Sequence, residues 1–117
     1  MTVTTQYGLI EITPDVVASI AGNAAANCFG VKGMTIKNVA DGIVRLLKRD
    51  AANRGVSVRE NKDANTVDIE LHIAVEHGIN INTVCRSIIS EVRYNVVRLT
   101  GIKVGRVDVF VDSIRVG

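Results

Sequence analysis

The sequence predicts one α+β domain over residues 1–117: a two-layer sandwich with two long helices on one face of a small mixed or antiparallel sheet, plus a short amphipathic helix. Three observations carry this. Val67, Ile69, Leu71, Ile73 and Val75 alternate with polar residues in unbroken succession, the two-residue period of a strand with one buried face. Two stretches, one after Thr13 and one after Asn80, repeat apolar residues at helical spacing behind a capping residue. With 47% apolar residues, 3% aromatic and no Trp, the core is built from Val, Ile, Leu and Ala, and 117 residues enclose such a core without a metal or disulfide staple.

The elements follow in order. "YGLIEIT" points Ile10 and Ile12 one way and Glu11 the other, a short strand. In "TPDVVASIAGNAAANCFG", Thr13 caps, Pro14 suits the first turn and Asp15 faces the positive dipole end. The apolar positions of this helix (Val17, Ile20, Ala21, Ala24, Cys28) are mostly small, which allows close approach to a sheet, and Gly30 ends it. "NVADGIVRLLKRDAANRG" places Val39, Ile43, Leu46 and Leu47 against Arg45, Lys48 and Arg49, a short amphipathic helix. Val56 and Val58, a polar turn and the run to Val75 form an antiparallel hairpin. Asn80 caps a helix with a stripe of Val84, Ile88, Val92, Val96 and Leu99, closed by Gly101, and Val107, Val109 and Val111 mark the last strand.

Charge and motifs exclude more than they assign. Fourteen basic against 12 acidic residues give a formal net charge of +2, far from the excess of a nucleic-acid binder. Two cysteines, no signal peptide and no bilayer-length apolar run predict a reduced cytoplasmic protein with no direct membrane insertion. "CFGVKGMT" has the Gly-x-x-Gly spacing of an RNA-backbone clamp at Gly30, Lys32 and Gly33. The preceding helix end presents carbonyls there, however, and Thr35 and Ile36 favour extended chain, so Gly30 reads as a left-handed helix stop. The non-valine sheet face carries Asp68, Glu70, His72, Glu76, Asp108 and Asp112, with Phe110 its one aromatic, a poor surface for phosphates. Glu70 and His72 share that face without the paired spacing of a zinc site, and Cys28 and Cys85 read as packed small hydrophobes. With no nucleophile elbow, phosphate loop or dinucleotide fingerprint, no catalytic, cofactor or metal residue is assigned and an enzyme is disfavoured. The partner-binding candidates are Phe110, left among charges, and the basic group Arg45, Lys48 and Arg49.

Taken together, "GLIEITPDVVASIAGNAAANCFGVKGM", "VDIELHIAVEHGININTV" and "VVRLTGIKVGRVDVFVDSI" resemble the alkaline-shock-protein family of Gram-positive bacteria across essentially the whole chain. His77 stands where the family commonly has Tyr, and Asn82 where members often carry Pro. The resemblance implies a small cytoplasmic protein of the envelope stress response, without a cofactor or catalytic role. It implies a homo-oligomer, held at the inner face of the membrane in some members by an integral membrane protein partner. Some members are encoded beside a dihydroxyacetone-kinase-like enzyme of fatty-acid metabolism, which implies an accessory role as a second possibility. The expectation is therefore a non-enzymatic interaction protein acting through self-association and a protein partner near the membrane. A KH-like RNA-binding module using Gly30, Lys32 and Gly33 is the alternative from another class.

Overall fold

A computed structural model describes residues 1–116. The chain runs through a hairpin of β1 (Thr2–Thr5) and β2 (Gly8–Glu11), helix α1 (Pro14–Ala26), and strands β3 (Val31–Lys37) and β4 (Val44–Leu46). Two 3₁₀ turns over Arg49–Gly55, strands β5 (Val56–Asn61) and β6 (Thr66–Glu76), helix α2 (Ile81–Thr100) and strand β7 (Val104–Arg115) complete it.

The alternating run becomes β6, the central strand of a five-stranded mixed sheet. One edge of β6 pairs in parallel with β7; the other is shared by β5, antiparallel over Thr66–Leu71, and β3, antiparallel over Ile73–Val75. β4 extends the sheet beyond β3. Because successive side chains alternate, Val67, Ile69, Leu71, Ile73 and Val75 share one face and are at most 1% exposed. Against them pack Val17, Ala21 and Ala25 of α1 and Val84, Ile88, Val92 and Val96 of α2. Each fully buried Val, Leu or Ile contributes about 1.5–3 kcal/mol, so this face holds the two layers together.

The long helix behaves as its sequence predicts at both ends. Asn80 Oδ1 accepts the Thr83 N–H at 3.0 Å, and Gly101 adopts the left-handed conformation, φ 74°, donating its N–H to the Val97 carbonyl. The buried stripe stops at Val96; Leu99 is 56% exposed, and Ile102 beyond the helix takes the inner place. α1 ends at Ala26, before Gly30. Gly30 instead turns the chain into β3 with φ 83°, and a Cβ there would lie 3.1 Å from a Val84 methyl. Its carbonyl accepts the Glu76 N–H.

Two further expectations are corrected. The short amphipathic helix does not form: Asn38 to Ile43 is a turn closed by the Asn38 N–H on the Ile43 carbonyl, with Gly42 at φ 69°. Val44–Leu46 then adds to β3 opposite Thr35–Lys37. Gly42 followed by β-branched Ile43 and Val44 disfavours helix, and the edge of β3 supplies the hydrogen bonds that a strand needs. The segment around Ile10 is the second strand of a hairpin, paired with Thr2–Thr5 in its own two-stranded sheet. The molecule is thus mixed α+β but richer in strands than two helices on one small sheet.

Gly22 brings α1 against the 3₁₀ segment: a Cβ there would lie 2.9 Å from the Ala52 carbonyl oxygen, a backbone atom. Helix propensity alone favours Ala over Gly by about 1 kcal/mol; the contact reverses the sign. We predict that Gly22→Ala lowers the unfolding free energy by about 1–3 kcal/mol in urea titration, whereas a stabilised variant would show the contact to be loose.

Candidate functional site on the open sheet face

The polar residues of β6 point away from the helices. There His72 lies opposite Phe110 of β7, and the two rings stack with centroids 4.9 Å apart and planes 12° from parallel. The β6–β7 register shifts between Ile73 and Ala74, which pair with Val111 and Ser113, so Asp112 is an extra residue in β7 without a partner on β6. This bulge brings its carboxylate to His72 Nδ1, 2.9 Å from Oδ2. His72 Nε2 lies 3.2 Å from Glu70 Oε2. Thr35 of β3, buried on the same face, donates its hydroxyl to Asp112 Oδ2 at 3.0 Å. One network therefore ties β3, β6 and β7 together across the open face.

Both imidazole nitrogens face carboxylate oxygens. A neutral imidazole has one N–H, so only the charged ring donates to both. Burial of the ring works against its charge, but hydrogen bonds and charge from Glu70 and Asp112 outweigh burial and raise the His72 pKa above the ordinary histidine value. The side chains remain accessible: His72 is 33%, Glu70 44% and Asp112 20% exposed. Elsewhere on this face Asp68 and Asp108 have arginine partners. Asp68 accepts the Arg106 backbone N–H and lies 3.8 Å from Arg59, and Asp108 pairs with the Arg106 guanidinium at 3.1 Å.

Phe110 is part of this network, with 43% of the residue exposed. The basic candidates are elsewhere and are not gathered on a helix face. Arg45 stands on β4 opposite Ile36, on the other side of the strand from the Thr35 position, and pairs with Asp41 at 3.5 Å. Lys48 precedes the 3₁₀ segment, and Arg49 donates to Asn27 Oδ1 at 2.8 Å beside the end of α1. Gly30, Lys32 and Gly33 lead into and through the start of β3, with a register shift between Val31 and Gly33. The chain continues from them as strand. Lys32 lies near Glu76, His77 and Arg115. Burial raises the pKa of both thiols, with the Glu91 charge adding to the effect on Cys28, which disfavours the thiolate form. Cys28 lies beyond the end of α1. Among the described residues no group of three or more His, Cys, Asp or Glu side chains is placed to hold a metal ion.

Two features escape sequence reasoning. Thr35 becomes a partner of Asp112 only through the strand order, and Phe29, 81% exposed, stands beside an open groove of about 650 Å³ between α1 and α2. A Thr within an extended run gives no signal of the first, and the second depends on where α1 ends.

The network has a pH signature. His72 has a folded pKa above its unfolded value of about 6.5. Its stabilisation is therefore fully present below that value and is lost as pH rises through the raised folded pKa. We predict that wild-type stability, followed by urea unfolding at a series of pH values, carries such a decline on the alkaline side of the ordinary histidine range. His72→Gln should remove that component; an unchanged profile in the variant would contradict the assignment.

Among the described residues no helix is long and apolar enough to cross a membrane. A family model for alkaline shock protein 23, described as having a cell envelope-related function, matches residues 2–116. The chain is 35% identical over 113 residues to the uncharacterized protein YloU of Bacillus subtilis, covering 96% of this chain and 92% of that protein. It is 31% identical over 115 residues to the uncharacterized protein Spy1614 of Streptococcus pyogenes, covering 97% and 93%. It is 29% identical over 111 residues to the uncharacterized protein YqhY of Bacillus subtilis, covering 95% and 80%. No solved structure matches the chain. With the family model spanning nearly the whole sequence, the chain belongs to the alkaline shock protein 23 family, whose function is related to the cell envelope.

Proposed function

We propose that the protein is a non-enzymatic interaction module of the envelope-stress type, acting through self-association and through a protein partner near the membrane, with the open sheet face as its contact surface. The observation that carries this reading is Phe110. One side of its ring is held by His72, nearly half of the residue faces solvent, and the polar groups around it are fixed by hydrogen bonds across three strands. An aromatic ring ordered in advance loses little freedom on binding, which is why such residues anchor interfaces.

The edge of the sheet adds to the argument. Among the described residues β7 pairs with β6 alone, so its outer edge presents unpaired backbone groups beside Phe110. Register shifts near both ends of β7 leave Val107–Val111 as its regular stretch, centred on the ring-bearing part of the face. A partner on this surface could take both the side-chain face and the edge.

The expected outcome in size-exclusion chromatography with light scattering is a mass above that of the monomer at tens of micromolar protein. Phe110→Ala should weaken association roughly tenfold, about 1.4 kcal/mol, with an unchanged circular dichroism spectrum. A wild-type protein that stays monomeric at high micromolar concentration, with no effect of Phe110→Ala, would count against the reading.

A further inference from the structure

The charges on the open face are unevenly matched. Asp68 and Asp108 have arginine partners, Arg59 and Arg106. Glu70 and Asp112 have His72 as their cationic partner among the described residues. Every element around His72 fits this count. On β6 it meets Glu70, and on β7 Asp112 and the Phe110 ring; β3 offers the uncharged Thr35 hydroxyl and, two residues on, Lys37, which joins none of the ion pairs among the described residues, and β5 places Ser57 opposite Glu70. On β4, Arg45 is engaged with Asp41, and Arg115 of β7 turns to the Val44 carbonyl and the Ser113 hydroxyl. Two carboxylates thus flank a flat, protonatable ring that lies on an aromatic ring. That arrangement suits a planar cation in general, and here the protein's own imidazole, a cation when it carries both protons, occupies it.

We propose that this cradle receives an arginine side chain from a segment of a partner protein, with the guanidinium against Phe110 and Glu70 and with His72 as its internal competitor. The inference rests on the open face being the contact surface and adds the chemistry of what that surface takes. When His72 is charged it satisfies both carboxylates. When it loses its proton, one ring nitrogen becomes an acceptor facing an acceptor. Asp112 is fixed by Thr35 and has the shorter contact, so the neutral ring keeps its N–H on Asp112 and the more exposed Glu70 is released. The local charge of the three groups passes from −1 to −2 beside a half-exposed ring. Guanidinium remains charged throughout this range, offers donors in a planar fork and stacks on aromatic faces. A lysine ammonium has the charge without the plane.

The test is fluorescence anisotropy of the full chain with labelled Gly/Ser/Leu peptides carrying two Arg, two Lys or two Glu, at pH 5.5 and pH 8.0 and constant ionic strength. The Arg peptide should bind about fivefold more tightly at the higher pH, the effect of one added charge near a solvated contact. It should bind more tightly than the Lys peptide, and the Glu peptide should not bind. His72→Gln should abolish the pH dependence, and Glu70→Gln should weaken Arg-peptide binding roughly tenfold while leaving the circular dichroism spectrum unchanged. Affinity independent of pH, equal binding of the Arg and Lys peptides, or a pH dependence that survives in His72→Gln would overturn the inference. If self-association responds to Phe110→Ala but the Arg peptide does not bind, the occupant is a second copy without this chemistry; the contact-surface reading then stands and the arginine inference falls. If neither self-association nor peptide binding responds to Phe110→Ala, both fall.

Discussion

Because β6 is hydrogen-bonded to β7 along one edge and to β5 and β3 along the other, its two-residue period decides at once what the helices cover and what the open face displays. A slip of one residue would carry Val67, Ile69, Leu71 and Ile73 to solvent and press Glu70 and His72 into the helical layer. Burying those charged groups among α1 and α2 would be costly, so the register is held from both sides. The same register sets His72 opposite Phe110. Core and candidate site are therefore two readings of one strand.

The open face is held by polar contacts rather than by a second apolar layer. Asp112 leaves the ladder at a bulge and accepts from both Thr35 and His72, so a local irregularity of β7 ties three strands together. Bulges commonly re-aim a side chain in this way. The same irregularity shortens the regular edge of β7, which reduces its tendency to pair indiscriminately, while the segment bearing Phe110 keeps its regular register with β6. A surface of this kind fits a family with a cell envelope-related function and the interaction role proposed for it.

How much was legible in the sequence depended on whether the signal was local. The β5–β6 hairpin and α2 were readable because alternation, an Asn cap and a glycine stop lie within the elements themselves. The segment from Val44 to Leu46 was not, because it is a strand only through pairing with Thr35–Lys37, and its own apolar spacing suits a helix equally well. The end of α1 is hidden in the sequence for a related reason: Gly30 carries the positive φ expected of a helix stop but uses it in the turn entering β3. For the site, alternation alone assigned Glu70, His72, Phe110 and Asp112 to one face. The stacking, the bulge at Asp112 and the role of Thr35 needed strand order and register, which no short stretch encodes. The grouping of Arg45, Lys48 and Arg49 dissolved together with the helix that would have aligned them.

The central claim, that the protein works through the open face of β6 and β7 rather than through its helical face, is tested most directly by crosslinking in living cells. A photoreactive phenylalanine analogue would be placed at Phe110 or, on the exposed side of α2, at Tyr94, and the adducts identified by mass spectrometry. The account predicts a defined protein adduct from position 110 and none from position 94. An adduct from position 94 alone would contradict it.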